Sequence, residues 1–346
     1  MTTASLHPVQ GEPLAVLEAL RAWVDDGGDP LAMRTSGSTG EPKDVLLSRD
    51  AMVASATAAL DRLGGPGGWL LTIPVTGVGG LQVLVRSILA GVDPVVSGDI
   101  SAAEVGGSRH YVSIVPTQLH RLDVAGRLGA LAEFDAVLLG GAAADPGLLA
   151  RAAEADVNVV RTYGMTETCG GCVYDGLPLA GVSMRIASDD MVELSGPVLF
   201  DGYGDPSATA AVLSGGWFRT GDLGEIGADG RLRITGRADD IVQSGGVKVP
   251  LPAVATAVSR VAGVAEAVVL GRPDREWGTE VVAFVVPETG ASPRLDQVRD
   301  GVEAQGIART WAPRDLVLVD EFPLLPNGKI DRQRLLGRGS TIGRQE

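Results

Sequence analysis

The 346-residue sequence predicts an α/β protein: a large N-terminal domain with mainly parallel sheets plus a small β-rich subdomain, followed by a small mobile α+β C-terminal domain. Three observations carry that reading. Strand, glycine-rich loop and helix patterns recur between residues 69 and 161. Short alternating strands separated by turns replace them between 181 and 234. Beyond Gly236 come a helix, two strands, a second helix and a last strand. The expected boundaries are 1–236, with the β-rich part at about 181–235, and 237–346.

In order, leucines at helical spacing (Leu14, Leu17, Leu20) with Trp23 predict a helix over 13–24. Apolar runs at 31–34 and 45–47 read as a hairpin around a polar loop. Ser48 is positioned to cap a helix through Arg62, and the glycines of 64–68 end it. Strands follow at 69–73, 111–115, 136–139 and 157–161, with helices at 81–89, 116–122 and 146–154. Asp145-Pro146 is a helix start. Repeated strand-loop-helix units imply a parallel sheet, and ligands of such sheets gather at the carboxyl ends of the strands. The loops 74–80, 116–117, 140–142 and 163–169 would therefore meet at one crevice. Strands are then expected at 182–186, 191–194, 217–219, 223–226 and 232–234. The C-terminal unit reads as a helix at 252–261, strands at 265–271 and 280–286, a helix at 295–303 and a strand at 315–319. The stretch 236–246, rich in Gly, Asp and Ser, reads as the hinge.

Composition narrows the function. Apolar content is 45%, enough for a sizeable core, and the net charge of −14 disfavours nucleic acid and anionic membranes. Residues 1–13 lack the pattern of a signal peptide, and no apolar run reaches membrane-span length. Cys169 and Cys172 have C-x-x-C spacing, but no second pair completes a zinc set. They read as structural thiols, and the protein as cytoplasmic and free of disulfides. His7, His110 and His120 fall outside every motif, which disfavours a hydrolase triad.

The loop Thr35-Ser36-Gly37-Ser38-Thr39-Gly40-Glu41-Pro42-Lys43 holds four hydroxyls, two glycines and a lysine in nine residues. Glycines let several N–H groups face one concavity, hydroxyls add donors and Lys43 adds charge, which suits a polyphosphate. It is no P-loop, because Asp44 rather than Ser or Thr follows the lysine. Alone, it could also be a Gly/Ser surface turn, the less favoured of the two readings.

Four further motifs follow it in order: Tyr163-Gly164-Met165-Thr166-Glu167-Thr168, Thr220-Gly221-Asp222, Gly236-Arg237-Ala238-Asp239-Asp240 and Pro326-Asn327-Gly328-Lys329. Together the five resemble the adenylate-forming superfamily of acyl-CoA synthetases, luciferases and nonribosomal-peptide adenylation domains. The resemblance covers residues 31–335 and implies that superfamily's fold, shortened at the front, since only 34 residues precede the loop. The stretches 63–71, 80–87 and 161–179 resemble most the short actinobacterial o-succinylbenzoate–CoA ligases of menaquinone biosynthesis. One departure stands out. In the loop Pro74-Val75-Thr76-Gly77-Val78-Gly79-Gly80, Gly77 occupies the position of a family histidine near the acyl pocket.

The resemblance implies two steps: a carboxylate attacks the α-phosphorus of ATP, then the thiol of coenzyme A displaces AMP. It makes Lys329 the adenylation lysine, Glu167 the Mg²⁺ ligand and Thr166 a donor to the α-phosphate. Thr35, Ser36, Gly37, Ser38, Thr39, Gly40 and Lys43 would cover the departing phosphates. Gly140, Gly141, Ala142, Tyr163 and Gly164 would face the nucleotide, and Asp222 and Arg237 its ribose. Asp239 falls at the hinge, and Ser244, Gly245 and Gly246 fall on the CoA side. Arg86, Thr117 and Gly77 are the candidates for the acyl site, drawn from its expected walls. The expected partners are ATP, Mg²⁺, CoA and a small carboxylic acid, with no nucleic acid and no membrane insertion; a homodimer is allowed. Two other readings stay open: a ligase or carrier-loading enzyme for another aryl or acyl acid, and a nucleotide-binding module without catalysis.

Overall fold

The computed structural model describes residues 5–36, 42–101, 104–324 and 330–337. Two compact units emerge. The first holds the described residues up to Thr220 together with Gly224–Arg233; the second holds Gly221–Leu223 and the described residues from Ile234 onward.

The first unit opens with a small hairpin, β1 (Ser5–Leu6) and β2 (Val9–Gln10), which had no signal in the sequence. Helix α1 (Pro13–Asp26) starts on a proline that fits the first turn and buries Val16, Leu17, Leu20, Trp23 and Val24. Leu17, Leu20 and Trp23 are buried as expected and Val16 and Val24 join them, while Leu14, in the first turn, faces solvent. Strands β3 (Leu31–Ser36) and β4 (Pro42–Leu47) form the expected antiparallel hairpin. Leu31, Met33, Val45 and Leu47 point inward from it. Helix α2 (Arg49–Leu63) begins after Ser48 and ends on Gly64 in the left-handed region. Ser48 stands at the N-cap but makes no side-chain cap bond, so its hydroxyl does not perform the expected capping.

A seven-stranded sheet forms the centre. Its chain order runs β5 (Gly68–Leu71), β6 (Val95–Val96), β7 (His110–Ile114), β8 (Ala136–Leu139), β9 (Val159–Met165), β10 (Gly170–Tyr174) and β11 (Leu177–Pro178). In space the order is β11-β10-β9-β8-β7-β5-β6. The five strands from β9 to β6 run parallel, and β10 and β11 close one edge antiparallel. Helices α3 (Val78–Ala90), α4 (Pro116–Val124) and α5 (Pro146–Glu154) connect the strands. The period-2 alternation of strand side chains divides the core cleanly. Trp69, Leu71, Tyr111, Ala136 and Leu138 pack with α1, α2 and α3, while Leu70, Val112, Ile114, Val137 and Leu139 pack with α4 and α5. Burial on both faces is why these strands read as unbroken apolar runs. Parallel alignment brings the carboxyl ends of β5, β7, β8 and β9 to one edge of the sheet.

The β-rich part contains β12 (Ser183–Ile186), β13 (Met191–Ser195), β14 (Gly202–Tyr203), α6 (Pro206–Val212), β15 (Leu213–Ser214), β16 (Trp217–Ile226) and β17 (Leu232–Arg237). Three features depart from expectation. Two short strands about Thr220-Gly221-Asp222 are one ten-residue strand, β16, so that motif lies mid-strand. A helix, α6, interrupts the strands, with Asp205 as its side-chain cap. Strand β14 leaves this sheet to pair with β4, placing Tyr203 opposite Val45.

The second unit has the expected order with two additions, the hairpin β18 (Ile241–Ser244) and β19 (Val247–Pro250) and a short C-terminal helix. Helix α7 (Leu251–Val258), β20 (Val264–Asp274), β21 (Gly278–Pro287), α8 (Leu295–Ala304), β22 (Asp315–Leu318) and a short α9 (Arg332–Leu336) follow. Helices α7 and α8 cover one face of the β20–β21 ribbon through Val254, Val258, Val298 and Val302. The stretch expected as a loose hinge therefore carries the end of β17, a single 3₁₀ turn (Ala238–Asp240) and β18. Among the described residues no helix is long and apolar enough to cross a membrane.

Candidate active site

The site is built around the turn that ends β9. Thr166–Thr168 forms one 3₁₀ turn, closed when the Thr168 hydroxyl accepts from Met165 N at 2.9 Å and donates to Gly170 O at 2.7 Å. The Cys169 carbonyl accepts from Ser55 Oγ on α2 at 2.9 Å and from Gln82 Nε2 on α3 at 2.8 Å. Both helices thus hold the turn in place through buried hydrogen bonds, each worth about 0.5–1.5 kcal/mol net. Thr166 and Glu167 are left half-buried at the carboxyl edge of the sheet.

Glu167 has a partner that the sequence reading missed. The Tyr203 hydroxyl donates to Glu167 Oε1 at 2.8 Å. The Lys43 ammonium lies 5.3 Å from the centre of the Tyr203 ring, a cation–π distance. Burial, and then the Glu167 carboxylate, push the Tyr203 phenol well above its ordinary range, so it remains a donor. Tyr203 left no pattern to find, because a two-residue strand has no periodicity.

The loops along the same edge differ in why they are small. A Cβ on Gly140 would sit 2.5 Å from Thr162 Oγ1, so packing against β9 alone demands glycine there. Gly141 has φ +88°, a left-handed conformation that favours glycine. A Cβ on Gly164 would meet the Gly170 carbonyl at 2.0 Å, across the β9–β10 pair. Ala142 is exposed. Thr117 is the second residue of α4 and half-buried, and Tyr163 is half-buried within β9. Gly77 caps α3, and a Cβ there would meet nothing closer than Pro74 O at 3.6 Å, so packing does not demand glycine at this position.

Arg86 lies two turns further along α3 and is only 3% exposed. Its guanidinium stacks 4.9 Å from the centre of the Trp69 ring, and Nη2 reaches the Tyr174 hydroxyl at 3.5 Å. No carboxylate of the described residues pairs with it, and Arg86 Nε, Trp69 Nε1 and Gln82 Oε1 are all buried without hydrogen-bond partners. A buried cation beside unsatisfied polar groups is costly unless something answers it.

Residues 28–203 match the AMP-binding enzyme family, and residues 253–329 match the AMP-binding enzyme C-terminal domain. A probable 2-succinylbenzoate–CoA ligase of Mycobacterium tuberculosis is 42% identical over 96% of this chain and 90% of its own length. The chain belongs to the AMP-binding enzyme family. Among solved structures, the o-succinylbenzoate CoA synthetase of Bacillus subtilis with its acyl-adenylate OSB-AMP is similar at a TM-score of 0.77 and 27% identity. The similarity covers 89% of this chain and 69% of that one. The same Bacillus subtilis enzyme with ATP and a magnesium ion gives a TM-score of 0.73 at 27% identity, covering 88% of this chain and 69% of that one.

As an AMP-binding enzyme, the chain presents the Glu167 carboxylate at the sheet edge. Among the described residues no group of three metal-binding side chains exists. A single carboxylate with Thr166 beside it fits Mg²⁺, which is commonly held by one or two carboxylates plus substrate phosphates. Of the phosphate loop, Thr35 and Lys43 are described and pair across the β3–β4 hairpin, where Thr35 Oγ1 donates to Lys43 O at 3.4 Å. Ser36 ends β3. Gly37, Ser38, Thr39, Gly40 and Lys329 lie outside the described residues.

The remaining predicted residues stand in the second unit. Asp222 lies on the inward face of β16 and is 6% exposed. Arg237 Nη1 donates to its Oδ1 at 3.0 Å, and Asp239 Oδ2 lies 3.8 Å from Arg237 Nη2. One guanidinium thus links the two motifs that supply Asp222 and Asp239. Asp240, next in line, accepts from Arg332 of α9 at 2.6 Å. Gly245 and Gly246 turn the β18–β19 hairpin with φ of +57° and +82°, and Ser244 is buried beside them. Trp277 lies against Gly245, and Arg314 stacks 3.4 Å from the Trp277 ring centre. The two cysteines are buried free thiols. Burial pushes Cys172 up to about 12 and Cys169 higher still, so both are inert, as structural thiols should be.

Proposed function

We propose that this chain is an AMP-forming acid–CoA ligase acting in the cytoplasm on o-succinylbenzoate, an aromatic dicarboxylate. Relatedness to a probable 2-succinylbenzoate–CoA ligase across 96% of the chain supports the reaction. The observation that carries the choice of acid is that relatedness over nearly the whole chain; Arg86, a buried guanidinium with no carboxylate partner among the described residues, lies beside Trp69 at the amino end of β5 and is a candidate contact by its charge alone. In this reading the acid lies along the carboxyl edge of the sheet. The aliphatic carboxylate then faces the sheet edge, near Thr166 and Glu167.

In the first step the acid's carboxylate oxygen forms a bond to the α-phosphorus as pyrophosphate leaves. Two anions must meet, so positive charge and donors decide the rate. Lys329 supplies charge at the attacking oxygen, Thr166 donates to the α-phosphate, and the loop of Thr35, Ser36, Gly37, Ser38, Thr39, Gly40 and Lys43 orients the leaving phosphates. Glu167 would hold Mg²⁺, which neutralises phosphate charge when bound. Asp222 accepts from the ribose hydroxyls while Arg237 fixes its carboxylate. In the second step the thiolate of CoA attacks the acyl carbon and AMP leaves. The Ser244-Gly245-Gly246 turn, flanked by the Trp277 face and the Arg314 cation, serves the CoA side, and rotation near Asp239 exchanges the two arrangements.

The test is AMP release with CoA and a panel of acids. Turnover of o-succinylbenzoate well above benzoate, indoleacetate and aliphatic acids supports the reading. Saturation by another acid, with none by o-succinylbenzoate, would favour a ligase for a different aryl acid. Gly77 is the observation behind that second reading, because it stands where the family resemblance places a histidine.

A further inference from the structure

We propose that Tyr203 is a positioning residue that ties the metal-binding carboxylate to the lysine of the phosphate loop. The inference rests on the reading of Glu167 as the Mg²⁺ ligand and goes one shell beyond it.

Three contacts converge on one side chain. The hydroxyl donates to Glu167 Oε1 at 2.8 Å. The ring face carries Lys43, 5.3 Å from its centre. Phe200 packs edge-on against the ring at 5.0 Å and fixes its plane. The backbone is as well determined as the ring. Gly202 and Tyr203 pair with Leu46 and Val45 of β4, the strand on which Lys43 lies. Tyr203 N donates to Thr209 Oγ1 at 2.8 Å, so the first turn of α6 holds it from behind. A Cβ on Gly202 would meet Thr209 Oγ1 at 2.8 Å, which leaves that clamp no slack. The Phe200 amide, three residues before, donates to the Glu167 backbone carbonyl at 2.9 Å. One short segment thus grips Glu167 by both main chain and side chain.

The consequence is chemical. A carboxylate with one oxygen engaged by a fixed phenol has one rotamer and presents its other oxygen outward. Among the described residues that other oxygen, Oε2, has no partner. The same phenol ring holds an ammonium close to the nucleotide's departing phosphates. Tyr203 therefore sets the distance between a metal ligand and a phosphate-binding cation.

The test is a double-mutant cycle of Tyr203→Phe and Glu167→Gln, each followed by thermal melting. Tyr203→Phe keeps the ring, its Phe200 contact and the Lys43 stack, and removes only the hydroxyl. Mn²⁺ affinity in the presence of ATP is read by electron paramagnetic resonance, and Mg²⁺ half-saturation by ATP–pyrophosphate exchange. We expect Tyr203→Phe to weaken metal binding about ten- to a hundredfold, as loss of an outer-shell partner of a metal ligand does. The acid KM should stay unchanged, and the loss should vanish in the Glu167→Gln background. Metal binding within twofold of the parent in Tyr203→Phe, beside a clear loss in Glu167→Gln, would overturn this inference alone. Additive losses in the double variant would also overturn it. An unchanged Glu167→Gln would refute the metal assignment itself and this inference with it. A Tyr203→Leu variant, which also removes the Lys43 contact, should raise the ATP KM beyond Tyr203→Phe; equal values would sever Lys43 from the proposal.

Discussion

Replacing Arg86 with methionine separates a substrate contact from a structural one. The guanidinium is 3% exposed and stacked on Trp69, with no carboxylate partner among the described residues. If it answers the aromatic carboxylate of the acid, the variant loses a charge-assisted bond worth about 1.5–3 kcal/mol. That converts to about a ten- to 150-fold fall in kcat/KM for o-succinylbenzoate. The loss should disappear for 3-benzoylpropionate, which lacks the aromatic carboxylate. Stability should move the other way. Methionine has similar bulk, and removing an uncompensated buried charge is neutral or stabilising, less the stacking of about 0.5–2 kcal/mol on Trp69. The assay is coupled AMP release with both acids, beside a thermal melt. Equal losses with the two acids, or wild-type kinetics with o-succinylbenzoate, would refute the argument. A drop in melting temperature with unaltered specificity would make Arg86 a core residue and nothing more.

Other expectations follow from single contacts. Gly140→Ala places a methyl 2.5 Å from Thr162 Oγ1, so it should destabilise by about 1–3 kcal/mol, seen as a lower urea midpoint; an unchanged midpoint would show that the loop yields freely. Neither cysteine should react with a thiol reagent at pH 8 until denaturant is added, and rapid labelling of the folded protein would contradict their burial. Because the folded Cys172 thiol is raised to about 12, its contribution to stability is intact below the unfolded value of about 8.5 and declines as pH rises toward 12. Urea melts between pH 8 and pH 10 should therefore weaken, and less so in Cys172→Ala. Lys329→Ala should cut ATP–pyrophosphate exchange by about 10²–10³, the scale of losing one electrostatic stabiliser, with a smaller effect on thioester formation from preformed acyl-adenylate. Normal exchange would remove Lys329 from the adenylation step.

Much of the fold was legible because it is written in local patterns. Strands β5, β7 and β8 are buried on both faces, so continuous apolar runs revealed them. Asp145-Pro146 marked a helix start that the Leu148 N to Asp145 Oδ1 bond, 2.9 Å, bears out. Strand β16 misled, because Gly221 and Asp222 weaken any strand propensity. What holds them extended is pairing with neighbours distant in sequence, and alternation then turns Asp222 inward to Arg237.

By itself the sequence determined the order of the main strands and helices and the five motifs, and so the candidates Thr166, Glu167, Asp222, Arg237 and Lys329, because family chemistry is carried by residue type at fixed spacing. Only tertiary structure decided who their neighbours are. Tyr203 meets Glu167 across 36 positions of chain, and Ser55 and Gln82 reach Cys169 across 114 and 87. That Arg86 is buried beside Trp69 and Tyr174, with no carboxylate partner among the described residues, likewise came only from the tertiary structure. Contacts of that separation depend on how strands pair and helices stack, and no local pattern encodes them. The parallel sheet that the repeats announced is the frame, and the hydrogen bonds across it make its carboxyl edge a site.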